Sequence, residues 1–314
     1  MQCKICKSNK TKVIREKLRH DIKRRVFLCS GCGYGFLDPS KSVDSRFYSN
    51  KNYRQAYGPA VNKVSSCQEI FDTYFPFQKS IVSEIKHILR SKMKVMDVGC
   101  STGHFLQSLK DLVGERVGLE LQKEAGEFVQ KKFKIPVYSE PIETAKIKEG
   151  PFDLITTLQV LEHIDDPAGF LEGIGRNLKP GGYLYIEVPN IDDALLSCYN
   201  IKGFANFYFR EPHVSYFSVK SLKRLLKDAG FRGTFKTVQR YNIMNHLHWL
   251  FTNQPQGNFA LGNSKPVLVN SKSAPKFAAQ ALNKFMVSVD TEYKKILAKY
   301  NVAENIAFLG KKAR

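Results

Sequence analysis

The stretch "KVMDVGCSTGHF", residues 94–105, constrains the fold more than any other segment of the chain. An apolar run ends in a glycine-rich turn and passes into TGHFLQSLKDL (102–112), whose apolar residues recur at helical spacing. A strand leading through such a turn into a helix is the opening unit of a parallel α/β sheet. The rhythm then continues. RVGLEL reads as a second strand, KEAGEFVQKKF as a helix, IPVYS as a short strand and FDLITTLQV as a strand buried on both faces. DPAGFLEGIGRNL reads as a helix with Pro167 in its first turn, ended by Lys179-Pro180-Gly181-Gly182. GYLYIEVPN is the next strand, and SVKSLKRLLKDAGF an amphipathic helix with Ser218 as N-cap and Gly230 at its end. GTFKTVQRY and NIAFLGKK supply two last strands around a long stretch, 246–303.

Three chemistries compete for the turn. Gly99-x-Ser101-x-Gly103 has the spacing of a serine-hydrolase elbow, but the turn follows the first strand and no oxyanion loop precedes it. A dinucleotide fingerprint needs glycine where Ser101 and His104 stand. A cofactor cradle explains more. Asp97 falls at the carboxyl end of the strand, Gly99 and Gly103 permit close approach of the backbone, and Glu120 ends the second strand, placed to accept both hydroxyls of a ribose.

The seven cysteines divide by spacing. Cys3-x2-Cys6 and Cys29-x2-Cys32, separated by 22 residues, supply the four thiolates of a structural Zn²⁺ in a ribbon whose strands are TKVIREKLRH and KRRVFLC. Gly33 follows the second knuckle, where a left-handed turn is wanted; Lys7 stands at that place in the first. Cys67, Cys100 and Cys198 have no partner at metal-ligand spacing and read as small buried hydrophobes. Residues 41–74 carry the rings Phe47, Tyr48, Tyr53, Tyr57, Phe71 and Tyr74, which suit a lid. The expected divisions are therefore 1–40 ribbon, 41–90 linker and lid, 91–245 core, and 246–314 substrate-side insertion with the final strand.

Charge narrows the partners. The net charge is +20; residues 1–60 hold 14 Lys+Arg against 4 Asp+Glu, and residues 261–314 hold 10 against 3. Basic ends attract polyanions, a phosphorylated substrate or an anionic surface, whereas the core between them is nearly balanced. No apolar run is long enough for a membrane span and the N-terminus lacks the apolar core of a signal peptide, so the expected location is the cytoplasm.

The set "VMDVGCSTGHF", "VGLEL" and "FDLITTLQVLEHIDDPAGFLEGIGRNLKPGGYLYIEVPN" resembles the class I S-adenosylmethionine-dependent methyltransferases across residues ~90–245. The resemblance implies an α/β, Rossmann-like, seven-stranded sheet with its last strand antiparallel and helices on both faces. It also implies that Asp97, Gly99, Cys100 and Gly103 cradle the methionine part of S-adenosylmethionine, with Ser101 where the family has glycine. Glu120 would hold the ribose, Leu121 would flank the adenine, and Leu158-Gln159-Val160 would line the sulfonium side. "YFREPHVSYFSVKSLKRLLKDAGF" is similar to a segment of a subgroup that also carries an N-terminal four-cysteine module and includes deoxysugar C-methyltransferases. That similarity makes His213 the base, supported by Glu211 and Tyr208, with His163 of LEHI as the other candidate. Pro212 splits the usual Glu-His pair, and the subgroup's large C-terminal domain is lacking, so O-methylation is expected over C-methylation.

"VQRYNIMNHLHWLFTNQPQGN" looks like a segment of glycan-cluster methyltransferases. Tyr241, Trp249 and Phe251 would stack on a sugar, with Asn242, Asn245, His246 and His248 reading hydroxyls. The expected acceptor is a sugar nucleotide or glycan-linked small molecule. The rivals are an RNA methyltransferase that grips RNA through the basic ribbon, a sugar C-methyltransferase, and a non-catalytic protein that keeps the fold alone. The oligomeric state is not legible.

Overall fold

The computed structural model describes residues 1–39, 66–269 and 275–313. The ribbon opens the chain with β1 (Thr11–Lys17), β2 (Lys23–Cys29) and β3 (Gly35–Leu37). Helices α1 (Cys67–Tyr74) and α2 (Gln78–Ile85) precede the core. The core then runs β4 (Lys94–Val98), α3 (His104–Ser108), β5 (Glu115–Leu119), α4 (Lys123–Phe133), β6 (Val137–Tyr138), β7 (Phe152–Leu158), α5 (Pro167–Asn177) and β8 (Leu178–Pro189). Next come α6 (Ala194–Ser197), α7 (Lys202–Tyr208), β9 (Ser215–Tyr216), α8 (Val219–Asp228) and β10 (Phe231–Val238). Helices α9 (Ile243–Thr252), α10 (Phe259–Asn263) and α11 (Lys276–Lys299) and strand β11 (Asn305–Lys312) complete it.

Seven strands form one sheet in the order β10-β11-β8-β7-β4-β5-β6. Strands β4 to β8 are parallel, and β11 inserts antiparallel between β8 and β10, as expected for NIAFLGKK. Helices pack on both faces because the central strands are apolar on both. Val95, Met96, Leu154, Ile155, Leu184 and Ile186 are all at 0% exposure, each such side chain contributing about 1.5–3 kcal/mol on burial. The order reverses beside β4, so its carboxyl end opens a crevice where ligands of such sheets sit.

A second, four-stranded sheet has the order β1-β2-β3-β9. The ribbon does not close on its own strands: β3 pairs with β9, Phe36 opposite Ser215 and Gly35 opposite Tyr216. The two knuckles fold alike. Lys7 N donates to Cys3 O and Gly33 N to Cys29 O, with Lys7 at φ 60° and Gly33 at φ 74°. Lys7 therefore adopts the left-handed turn in spite of its side chain. Gly33 is required for a second reason, since a Cβ there would stand 2.7 Å from Ser218 Oγ.

Several local expectations change. The helix expected over 102–112 is the short α3, followed by turns that return the chain to β5. Lys179-Pro180-Gly181-Gly182 does end α5, but it lies within β8 rather than in a loop, because pairing with β7 begins at Leu178. Cys198 is exposed and Cys67 half-buried, so of the three cysteines outside the knuckles only Cys100 is a buried hydrophobe. Phe47, Tyr48, Tyr53 and Tyr57 lie outside the described residues. Phe71 and Tyr74 sit on α1, where Phe71 packs on Phe133, and Tyr74 meets His104 and Phe259. Among the described residues no helix is long and apolar enough to cross a membrane.

Candidate active site

A cleft of about 1730 Å³ runs along the carboxyl ends of the parallel strands. That exceeds the ~300–1,000 Å³ usual for one ligand and leaves room for two. Its two halves are built differently.

The first half is made by β4, β5, β7 and their turns. Gly99 N and Cys100 N both donate to Leu119 O, folding the glycine turn onto β5. Gly99 has φ 79°, and a Cβ there would stand 2.3 Å from Val160 Cγ2, so glycine is required. Ser101 has φ 52°, the left-handed region that explains why the family prefers glycine here. Ser101 N donates to one oxygen of Glu120 (2.8 Å) and Gln122 N to the other (2.8 Å). The carboxylate is thus aimed by backbone, and each oxygen keeps a lone pair for a further donor. Asp97 is buried and accepts from Thr156 Oγ1 at 2.6 Å; burial pushes its carboxyl up to about 7. Asp97, Gly99, Cys100, Ser101, Glu120, Leu121, Gln159 and Val160 all line the cleft. Gly103 does not. It starts α3 at φ 75° and faces Val129 instead.

The second half draws on distant segments. His163, Tyr208, Arg210 and His213 line it together with Arg19 and His20 from the tip of the ribbon. The imidazoles of His163 and His213 meet edge to face at 4.8 Å, so the structure does bring the two candidate bases together. Their hydrogen bonds distinguish them. Arg210 donates to His213 Nε2 from Nε (2.9 Å) and Nη2 (2.6 Å), which makes Nε2 an acceptor and leaves the proton of the neutral ring on Nδ1. His213 Nδ1 is buried and has no hydrogen-bond partner. His163 instead gives its Nδ1 proton to Pro212 O (2.9 Å), so Nε2 is its acceptor nitrogen. Burial and then Arg210 depress His163 to about 3, and the same causes hold His213 well below its usual range. Both rings are neutral at pH 7.

Glu162 lies between them, 1% exposed, with Oε1 4.0 Å from Nε2 of each histidine and neither oxygen hydrogen-bonded. Burial pushes its carboxyl up to about 8. Sequence reasoning passed over Glu162 and Arg210. The signal available was only an acid beside the histidine of LEHI and a base before Glu211. Of the expected supporting groups, Tyr208 faces the cleft with its hydroxyl buried and without a hydrogen-bond partner. Glu211 is not among the residues lining the cleft.

The far wall comes from the C-terminal insertion. Tyr241, Asn245, His246 and Trp249 line it with Tyr74, Phe77 and Phe259, and buried Asp193 and half-buried Glu304 add carboxyls pushed up by desolvation to about 7 and about 8. Three residues expected there are elsewhere. Asn242 caps α9 and ties Leu261 O and Ser264 O; Phe251 is 83% exposed; His248 is not among the lining residues.

A family model described as a methyltransferase domain matches residues 74–234, just over half of the chain. The chain belongs to this family. It is an S-adenosylmethionine-dependent methyltransferase, and the crevice at β4 is where such an enzyme keeps its cofactor. The ubiquinone biosynthesis O-methyltransferase of Thiobacillus denitrificans is 24% identical over 167 residues, 50% of this chain and 72% of that one. The protein of the same name from Burkholderia vietnamiensis is 29% identical over 103 residues, 31% of this chain and 44% of its own length. A methyltransferase structure from Archaeoglobus fulgidus superposes with a TM-score of 0.50 at 19% identity, covering 78% of this chain and 97% of that one, which supports the fold.

In the ribbon the four thiols converge. Cys3 Sγ and Cys32 Sγ are 3.6 Å apart, Cys6 Sγ and Cys29 Sγ 3.4 Å, and all four lie within 4.8 Å of one another. Tetrahedral Zn²⁺ with ~2.3 Å bonds places its sulfurs roughly 3.8 Å apart, so the donor set fits the ion.

Proposed function

We propose that this methyltransferase O-methylates a hydroxyl of a small, ring-bearing acceptor held in the second half of the cleft, with His163 as the base. The observation that carries the reading is the tautomer of His163: its Nδ1 proton is committed to Pro212 O, which makes Nε2 the acceptor nitrogen of a ring that lines the cleft. Gly99, Cys100, Glu120, Leu121, Gln159 and Val160 would hold the cofactor, with Asp97 orienting the turn. S-adenosylmethionine, when bound, supplies an electrophilic methyl group for in-line displacement. The chain's own residues do the rest. The turn and Glu120 would fix the cofactor's orientation. As the acceptor oxygen gains the methyl, its proton passes to His163 Nε2, and an ionised Glu162 4.0 Å away stabilises the imidazolium. His213, held by Arg210, fixes Arg210 and the 210–213 turn rather than taking the proton.

For the acceptor, the far wall mixes rings (Tyr241, Trp249, Phe259) with buried hydrogen-bonding groups (Asn245, His246, Asp193). Such a wall suits a ring bearing several hydroxyls, and a sugar nucleotide or glycan-linked small molecule is the acceptor proposed. A second reading, favoured by the name of the curated relatives, is an acceptor of ubiquinone biosynthesis. Transfer of labelled methyl to a panel of sugar nucleotides, phenols and RNA, with mass spectrometry of the products, separates these. A labelled O-methyl sugar is the expected outcome; labelled RNA, a C-methyl product or no transfer to any hydroxyl would defeat it. The ribbon would hold one structural Zn²⁺ through Cys3, Cys6, Cys29 and Cys32, a closed site without catalytic position. Elemental analysis should return one zinc per chain, and a metal-free ribbon in fully active protein would refute that.

A further inference from the structure

The acceptor histidines lie on two segments, and both are tied to the ribbon by one buried hydroxyl. Ser215 Oγ lies 2.5 Å from Tyr34 Oη and 3.3 Å from Ile164 O. A carbonyl only accepts, so Ser215 spends its single proton on Ile164, and Tyr34 must donate to Ser215. Tyr34 is 0% and Ser215 1% exposed, so no water substitutes for either partner. Ile164 directly follows His163, and Ser215 comes two residues after His213. The chain of bonds therefore runs from the ribbon, through the strand that begins two residues after one histidine, to the residue directly after the other.

Surrounding contacts leave this chain little slack. Leu37 N donates to Val214 O, and Phe36 pairs with Ser215 across β3 and β9. The Tyr34 ring packs on Phe36 and Phe217. Tyr216 Oη bonds both backbone groups of Arg210, whose guanidinium holds His213. The ribbon tip is pinned in the same way, Arg19 N donating to Phe209 O at 2.7 Å.

We infer that Tyr34 and Ser215 are positioning residues for methyl transfer: the N-terminal ribbon sets the distance between His163 and His213 through their shared hydrogen bond. Neither touches acceptor or cofactor, and neither is on the cofactor side of the cleft. Their effect is on turnover, not on cofactor affinity. The inference rests on the proposed acceptor site, and its test is built to fail separately from that reading.

The experiment compares Ser215→Ala, Ser215→Thr and Tyr34→Phe in the full chain. Ser215→Ala should lower kcat roughly tenfold or more, the scale of a small misplacement of a catalytic group. The calorimetric Kd for S-adenosylmethionine should stay within about twofold of wild type. Ser215→Thr, which keeps the hydroxyl, should restore most of kcat. Tyr34→Phe keeps the bond from Ser215 to Ile164 and should lie between, which also serves if Ser215→Ala does not fold. The ring signals of His163 and His213 in NMR of ¹³C-histidine-labelled protein should move in Ser215→Ala and return in Ser215→Thr. Unmoved histidine signals, or cofactor affinity lost in step with kcat, would overturn the inference. Signals that move in a protein that methylates no hydroxyl would uphold the positioning role and overturn the acceptor reading instead.

Discussion

The two halves of the cleft are made by different means. The half proposed for the cofactor is local: one strand, one turn and the end of the next strand, with Ser101 N and Gln122 N aiming Glu120. The half proposed for the acceptor is assembled from the ribbon tip, the LEHI turn, residues of the 208–213 segment and the C-terminal insertion. Backbone conformation decides the first, and convergence of side chains from distant segments decides the second. A half built by backbone is robust and tied to one ligand, whereas one built by convergence can be altered segment by segment to take another acceptor.

If the halves are independent, His163→Ala should cost about 10²-fold or more in kcat and leave the Kd for S-adenosylmethionine within about twofold. Rapid-quench turnover with calorimetry on the same preparation checks both, and loss of cofactor affinity would dissolve the distinction. The converse variant is Glu120→Ala. It removes the proposed ribose acceptor and the anchor of Ser101 N, and should weaken cofactor binding roughly tenfold or more while kcat at saturation falls much less.

A smaller effect tests the acceptor half by pH. The Glu162 carboxyl is pushed up to about 8 by burial, so below that pH it is protonated and does not support a charged His163. Turnover should therefore rise with pH up to about 8 and then level off, and Glu162→Gln should be slower and flat across the range. Stability carries the opposite edge. His163 is depressed from its usual value of 6.5 to about 3, so below pH 6.5 the unfolded chain binds a proton that the folded one refuses. The melting temperature of His163→Gln relative to wild type should therefore rise as pH drops from 6.5 toward 3, because the variant lacks this one loss.

The smallest expected effect is at Ser101. Its φ of 52° suits glycine at least as well, and its contribution to Glu120 is a backbone N–H that glycine retains. Ser101→Gly should keep activity within about twofold, whereas a hydrolase elbow would lose everything.

The same contrast explains what the sequence disclosed. The strand and turn around Gly99 and the acid at Glu120 follow from short-range pattern, and the antiparallel β11 from the resemblance to the methyltransferase family; the structure places these as expected, with a shorter helix after the turn. The ligand spacing of the four cysteines is equally local. Glu162 was passed over because its burial depends on residues 48 to 51 positions away, Arg210 and His213. The exposure of Phe251 escaped because aromatic composition does not say which face of α9 meets the cleft. Ser215 read as one letter of a family segment, and its partner Tyr34 gave no sign of it.

The shared strand has a consequence for how the chain is made. The ribbon's sheet ends on β9, about 180 residues after β3. At the usual ~5–20 residues per second of synthesis, its own thiols wait on the order of ten to thirty seconds for the strand that completes them. A metal bound early would hold the knuckles through that interval, so a module made before the core is finished only after most of it.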